Sequence, residues 1–486
     1  MSKSILDLNP KSVWKHFYEF TRIPRPTGQM EEITEYVKKI GWDLDLEVKQ
    51  DKADNVVITK PASKGYESRP GVVLQAHLDM VPQKNADVDH DFSKDPIETI
   101  IEGGIVRANS TTLGADNGIG AAMMLAFLED DSLQHPVVEC LFTTDEEEGM
   151  VGAFGLEKGF VKGKYMLNLD TEEDGEICIG CAGGADMNIT FGYEDDTEIE
   201  KGDVAVKISL TGLNGGHSGA EIHKGLANSN KLMNRFLKVI VEDYEARLSS
   251  VDGGSLRNAI PRESFAVVTI PKQLLDDLID LVKEYELLYR EEYAGVEDTI
   301  SFKAEKTELP KTLIPVEVQD SIINAVEGCP NGVMSMLTDF PDTVESSLNL
   351  ARVHSSSGKT IAQLLVRSSS ESRKDWVCSQ VESIFKMAGA NVKINNEYPG
   401  WQPNASSPLV NTMERIYTEK YGEKPFVNVI HAGLECGIIQ DNVNKNLDIA
   451  SFGPTIRNAH SPEEYVDITA VEKSYEFMLE ILKELE

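Results

Sequence analysis

Residues able to hold a metal ion or move a proton stand directly after apolar runs in this chain: His77 and Asp79 in AHLDM, Asp116 in GADNG, Glu146, Glu147 and Glu148 in TDEEEG, and Asp170 in LNLDT. His460 follows late, in NAHSPEE. Imidazoles and carboxylates converging on one edge suit divalent transition ions such as zinc, manganese or cobalt. Taken singly, a histidine after a strand is more often a hydrogen-bonded structural residue, and consecutive glutamates more often a solvated face. The set is harder to explain by solubility, because like charges gathered at one edge repel unless a cation neutralises them.

Spacing refines this reading. In H-x-D on a strand the two side chains share a side, so Asp79 could hold the ring N–H of His77 and fix the tautomer that binds metal. Asp116 sits in a Gly-flanked turn at a helix start, where a small backbone leaves its carboxylate free to bridge two ions. In DEEEG adjacent side chains diverge, so one glutamate can ligate while its neighbour faces the substrate water.

The elements that must position these residues are legible from period. Residues 10–21 and 30–40 predict amphipathic helices, 54–59 a strand, and GVVLQAHLD at 71–79 a strand buried on both faces. GADNGIGAAMMLAFLED at 114–130 predicts a helix. VVECLFTTDEEEG at 137–149 and YMLNLDTEE at 165–173 each read as an apolar strand ending in acids. Strands alternating with helices indicate an α/β domain with a mainly parallel sheet, whose ligand edge lies beyond the carboxyl ends of its strands. From about 187 the acidic strand ends stop, and 187–399 reads as an inserted α+β domain of two similar halves. If His460 serves the same ions as His77, residues 1–186 and 400–486 form one catalytic domain and 187–399 is an excursion that could close over it as a lid.

Composition bounds the function. The 486 residues carry 47 Lys+Arg against 81 Asp+Glu, a net charge of −34. With 41% hydrophobic and 26% charged residues the chain should be globular, in about two or three domains. An acidic surface repels phosphate backbones and anionic membranes, which argues against nucleic-acid and membrane partners. No apolar stretch approaches the ~18 residues of a membrane span, and the N-terminus lacks a signal-peptide core, so the expected location is cytoplasmic. Six cysteines are too few to staple such a chain, and Cys178 and Cys181 lack a second pair at zinc-finger spacing. No G-x-G-x-x-G follows the first strand, which speaks against a nucleotide binder.

The ordered runs H-x-D, G-A-D-N-G, D-E-E-x-G-x-x-G-A, L-N-x-D, G-G-H-S-G and a late A-H-S resemble those of the dinuclear-metal M20 peptidases, and most nearly the aminoacyl-histidine (cytosolic non-specific) dipeptidases. The resemblance runs from IPRPTG near the start to NAHSPEE near the end. It implies that His77 and Asp170 complete one metal site, that Glu147 and His460 complete the other, and that Asp116 bridges them. It further implies Glu146 as general base and Asp79 as partner of His77, since the family pattern places the base first and the ligand second after Asp145; Glu148 then faces solvent.

Two divalent ions, zinc first and manganese or cobalt as alternatives, would polarise the scissile carbonyl and lower the pKa of a bound water. Glu146 would take the water's proton and deliver it to the leaving amine. His217 in GGHSG is the implied oxyanion donor, and Asn258 and Arg367 the residues reaching the substrate's terminal carboxylate. A surface-loop histidine and a strand-edge arginine paired with a local acid are the plain alternatives. HAGLEC at 431–436 receives no role. The implied substrates are small peptides, chiefly dipeptides of the Xaa-His kind including β-Ala-His. Other hydrolases of the family (tripeptidase, carboxypeptidase, N-acyl-amino-acid deacylase) and a non-catalytic metal scaffold are the rival readings. A long lid implies that His217 acts within one chain, while a homodimer remains compatible.

Overall fold

The computed structural model describes residues 4–486. The chain divides into two units: Met1–Gly180 with Trp401–Val429 and Leu434–Glu486, and Cys181–Gly400 with Ile430–Gly433.

The first unit is built on an eight-stranded sheet. Its centre is parallel: Val138–Thr143, Val72–His77, Tyr165–Asn168 and Asp448–Ser451 lie side by side. Every residue of Val72–His77 and Val138–Thr143 is buried, as suits largely apolar strands at the centre of a parallel sheet covered on both faces. Antiparallel strands extend this centre: Val56–Lys60 and then Glu47–Gln50 on one side, Glu176–Cys181 on the other. Helices Lys11–Arg22 and Ala115–Glu129 pack together, and the second also packs on Val72–His77. Ala115–Glu129 is buried along almost all its length, consistent with its run of alanines, glycines and methionines.

A second, four-stranded sheet of this unit comprises Thr99–Glu102, Ile105–Ala108, Tyr465–Asp467 and Ile456–Arg457. Its strands have two to four residues. That is too short for an alternation to register in the sequence, yet this sheet fixes the loop 458–464 that carries His460. Ile456 pairs with Val466, and Val466 with Val106, so the loop is anchored beside the segment leading to Asp116.

The second unit is a nine-stranded sheet whose recorded pairings are all antiparallel. Helices Ser229–Asp243, Leu275–Glu292, Val316–Gly328 and Glu371–Met387 share its apolar core, in which Phe236, Tyr289, Phe302 and Phe385 are buried. The two rounds of strands meet where Arg247–Gly253 pairs with Val344–Ser356, through Asp252↔His354 and Gly253↔Val353. The period-2 strand Gly183–Gly192 belongs to this sheet, paired with Lys359–Ser368 and Asn391–Tyr398.

Candidate metal centre

The carboxyl ends of the central parallel strands bring the expected ligands together. His77 ends its strand, Glu146 and Glu147 follow Val138–Thr143, and Asp170 follows Tyr165–Asn168. Asp116 enters from the start of Ala115–Glu129, at a position with non-helical backbone. His460 enters from the loop of the small sheet. Asp145 has a left-handed backbone, φ 49°, which turns the chain sharply after the strand.

The distances divide these residues into two sets that share Asp116. His77 Nε2 lies 3.0 Å from Asp116 Oδ1 and 3.5 Å from Asp170 Oδ1. His460 Nε2 lies 3.2 Å from Asp116 Oδ2 and 2.9 Å from Glu147 Oε2. Donors bound about 2.0–2.1 Å from a tetrahedral ion stand about 3.3 Å apart. The spacing therefore fits one ion per set, with one Asp116 oxygen turned to each. Three donor groups satisfy a 4.8 Å mutual separation among the described residues: His77, Asp116 and Asp170; Asp116, Glu147 and His460; and His77, Glu146 and Glu147. None contains a cysteine, and all six cysteines are buried.

Asp79 is fully buried and ties three segments together. It accepts the Glu146 N–H at 3.1 Å, the Glu147 N–H at 3.2 Å and the Thr27 hydroxyl at 2.9 Å. Its Oδ1 is 3.3 Å from His77 Nδ1, close enough for an ion pair though without hydrogen-bond alignment. It thus holds the glutamates' backbone and places a carboxylate beside the imidazole. Glu148 is exposed.

The electrostatics are those of donors waiting for positive charge. Burial would raise Asp116, but hydrogen bonds with His460 and His77 hold it well below the usual carboxylate range. Burial would lower His77, yet Asp170, Asp116 and Asp79 raise it well above an ordinary imidazole. Hydrogen bonds with Asp116 and Glu147 raise His460 to about 11. Glu146 is pushed well up by burial, with His77 opposing and Asp170 reinforcing. Without metal, His460 is therefore protonated at neutral pH and must release that proton to ligate. Adding zinc to the metal-free protein at pH 7 should liberate protons, and affinity should rise with pH. Calorimetry in buffers of different ionisation enthalpy reads this directly; a heat that is the same in every buffer would contradict it.

Several further polar residues surround the set. Glu172, two residues beyond Asp170, is raised to about 8 by burial and by Asp116 and Asp170. Beneath the ligand edge a polar chain crosses the sheet. Gln75 donates to Thr143 at 3.1 Å and to Glu435 at 2.7 Å, and Asn168 donates to Gln75. Glu435 is fully buried and also accepts the Thr143 hydroxyl at 2.7 Å. These polar residues interrupt apolar strands at the position two before His77 and two before Asp170, a period-2 signal that was available in the sequence.

The second unit gathers its own cluster. His217 pairs with Ala259, next to Asn258, whose carbonyl accepts the Ser218 N–H at 2.8 Å. The Asn258 residue is exposed, and His217 is half-buried. His217 Nδ1 accepts the N–H groups of Gly219 at 3.2 Å and Ala220 at 2.9 Å, so the ring proton resides on Nε2, which is left as a donor. Arg367 is 6% exposed and donates to the Tyr398 hydroxyl at 3.0 Å, and its Nε has no hydrogen-bond partner among the described residues. Gly219 separates the two: a Cβ there would stand 3.1 Å from His217 Cε1 and 3.2 Å from Arg367 Nε. His431, held down to about 3 by burial and Arg367, contacts Ser347 Oγ at 2.7 Å.

A family model described as peptidase family M20/M25/M40 matches residues 73–484, from the His77 strand to the last helix. The chain belongs to this peptidase family. It is 41% identical over 480 residues, 98% of each chain, to the cytosol non-specific dipeptidase of Escherichia coli (strain K12). The crystal structure of an aminoacylhistidine dipeptidase from Vibrio alginolyticus is similar to this peptidase with a TM-score of 0.94 and 42% identity, covering 100% of this chain and 98% of that one. An aminopeptidase from Bacillus cereus, at 17% identity and TM-score 0.58 over 98% and 99% of the chains, shares the fold. No helix among the described residues is long and apolar enough to cross a membrane.

Proposed function

We propose that this M20 peptidase is a cytoplasmic, metal-dependent dipeptidase of broad specificity that accepts Xaa-His substrates, including β-Ala-His. The observation that carries the reading is Asp116, whose two oxygens face His77 and His460 separately at 3.0 and 3.2 Å. The resemblance in sequence to the two dipeptidases supports the substrate class.

Asp116 would bridge two ions, with His77 and Asp170 completing one set and Glu147 and His460 the other. Bound zinc, or manganese or cobalt, would supply Lewis acidity toward the scissile carbonyl and toward the attacking water. Glu146 takes the proton of that water and delivers it to the leaving amine, a task for which a carboxylate of raised proton affinity is suited. Asp79 orients both His77 and the Glu146 amide. In the second unit, which we read as an inserted recognition domain, the Nε2 donor of His217 suits an oxyanion. Arg367 offers a charged fork, and Asn258 a neutral amide, to a terminal carboxylate.

The test is a substrate panel on metal-depleted and reloaded protein. β-Ala-His, Gly-His and a dipeptide without histidine should be cleaved only after zinc, manganese or cobalt is returned. A tripeptide and an N-acetylated dipeptide should be poor. Faster turnover of the acylated substrate would make the protein a deacylase, and full activity in a chelator would remove the metal mechanism altogether.

A further inference from the structure

IPRPTG, at residues 23–28, has no part in the ligand set, yet its arginine is among the most deeply buried side chains of the protein, 1% exposed. Arg25 Nη1 donates to the carbonyls of Leu78 at 2.9 Å and Asp79 at 3.1 Å, and Nη2 donates to the carbonyl of Gly114. One guanidinium thus joins the loop that follows His77 to the turn that precedes Asp116. The space it fills is kept by two glycines, because a Cβ at Gly114 would overlap Nη2 and one at Gly118 would stand 2.6 Å from it.

A buried guanidinium is costly unless its charge is compensated. Among the described residues no carboxylate lies within ion-pair distance of Arg25, and the acids that act on it through space are Glu464, Asp79, Asp116 and Glu147. Glu464 meets the same turn from the opposite side. It is 2% exposed, and its Oε2 accepts the N–H groups of Leu113 at 2.7 Å and Gly114 at 3.0 Å. Its Oε1 accepts those of Ala115 at 2.7 Å and Asp116 at 3.4 Å. The Gly114–Ala115 peptide group is therefore held at both poles, its C=O on Arg25 and its N–H on Glu464. Glu464 lies four positions after His460 in the loop of the small sheet, so this carboxylate also joins that loop to the Asp116 turn.

We propose that Arg25 and Glu464 are positioning residues of the metal pair: gripping the Leu113–Asp116 turn from its carbonyl and amide sides, they set the spacing at which Asp116 presents one oxygen toward His77 and the other toward His460. This rests on the metal-centre reading above. A turn held only by its own backbone would let the carboxylate rotate away from one of the imidazoles, and a bridging ligand tolerates little such error.

The test compares metal binding by the full-length protein and its Arg25→Lys and Glu464→Gln variants. The lysine keeps the charge but cannot span three carbonyls. The glutamine keeps the shape but turns one acceptor into a donor facing N–H groups. Zinc affinity is measured by competition with a chromophoric chelator, and ligand geometry by the visible spectrum of the cobalt-loaded protein. Each variant should bind at least one of the two ions about 10–100-fold more weakly, with an altered cobalt spectrum. At saturating metal, KM for a dipeptide should hold while kcat falls.

Tyr289→Phe serves as the stability control, since it removes a buried hydrogen bond to the Leu232 carbonyl in the second unit and should leave both ions untouched. Should Arg25→Lys fail to fold, Glu464→Asp, which keeps the charge and withdraws it by one methylene, carries the same expectation. Wild-type protein binding two ions while Glu464→Gln and Glu464→Asp bind them with equal affinity and an unchanged spectrum would overturn the positioning role alone. Wild-type protein unable to bind two ions would overturn the metal-centre reading beneath it.

Discussion

Glu146→Gln should retain both metal ions and lower kcat for dipeptide hydrolysis by about 10²–10⁴-fold, the span general acid–base catalysis contributes. The amide has the carboxylate's shape but cannot accept the water's proton. The backbone is unaffected, because Asp79 holds the Glu146 N–H rather than its side chain. KM should change little, since the substitution removes no binding contact assigned to substrate. Metal content by elemental analysis decides between the neighbouring glutamates: Glu146 belongs to a candidate donor group with His77 and Glu147, so loss of an ion in Glu146→Gln would exchange the roles of base and ligand.

Asp116→Ala should cost more than any other single ligand change, because in the proposed site one carboxylate serves both ions. The affinity of each should fall by more than the roughly 10–100-fold that losing a hydrogen-bond partner of a ligand costs, and peptidase activity should fall below detection. His460→Ala, by contrast, should spare the set formed by His77 and Asp170. The fold should survive Asp116→Ala, since the turn is held through its backbone by Arg25 and Glu464 rather than by the aspartate side chain. Calorimetric titration with zinc measures both affinities. Two ions bound at wild-type strength in Asp116→Ala would show that the carboxylate does not bridge.

The candidate metal centre joins parts of the chain that are far apart in sequence. His460 reaches Asp116 across 344 residues and Glu147 across 313. What places it there is a strand pair of two and three residues, Ile456–Arg457 against Tyr465–Asp467. The residue that completes the second candidate donor set is therefore delivered by the weakest sequence signal in the first unit. The strongest signals, the largely apolar strands, deliver His77, Glu147 and Asp170.

By itself the sequence determined the alternation of buried strands and helices in the first unit, the acids at the strand ends, and the residues able to ligate. Those are local properties: an apolar run, a change of period and a cluster of charge are each visible within a dozen residues. Tertiary structure alone decided that Asp116 divides its oxygens between His77 and His460, and that Asp79 takes the amides of Glu146 and Glu147. It alone showed that the Arg25 of IPRPTG and the Glu464 of NAHSPEE meet on the two poles of one peptide group. The physical reason is that each of these contacts satisfies a backbone or charged group buried by chain closure over tens to hundreds of residues. Which groups become buried together is a property of the packed sheet rather than of any segment.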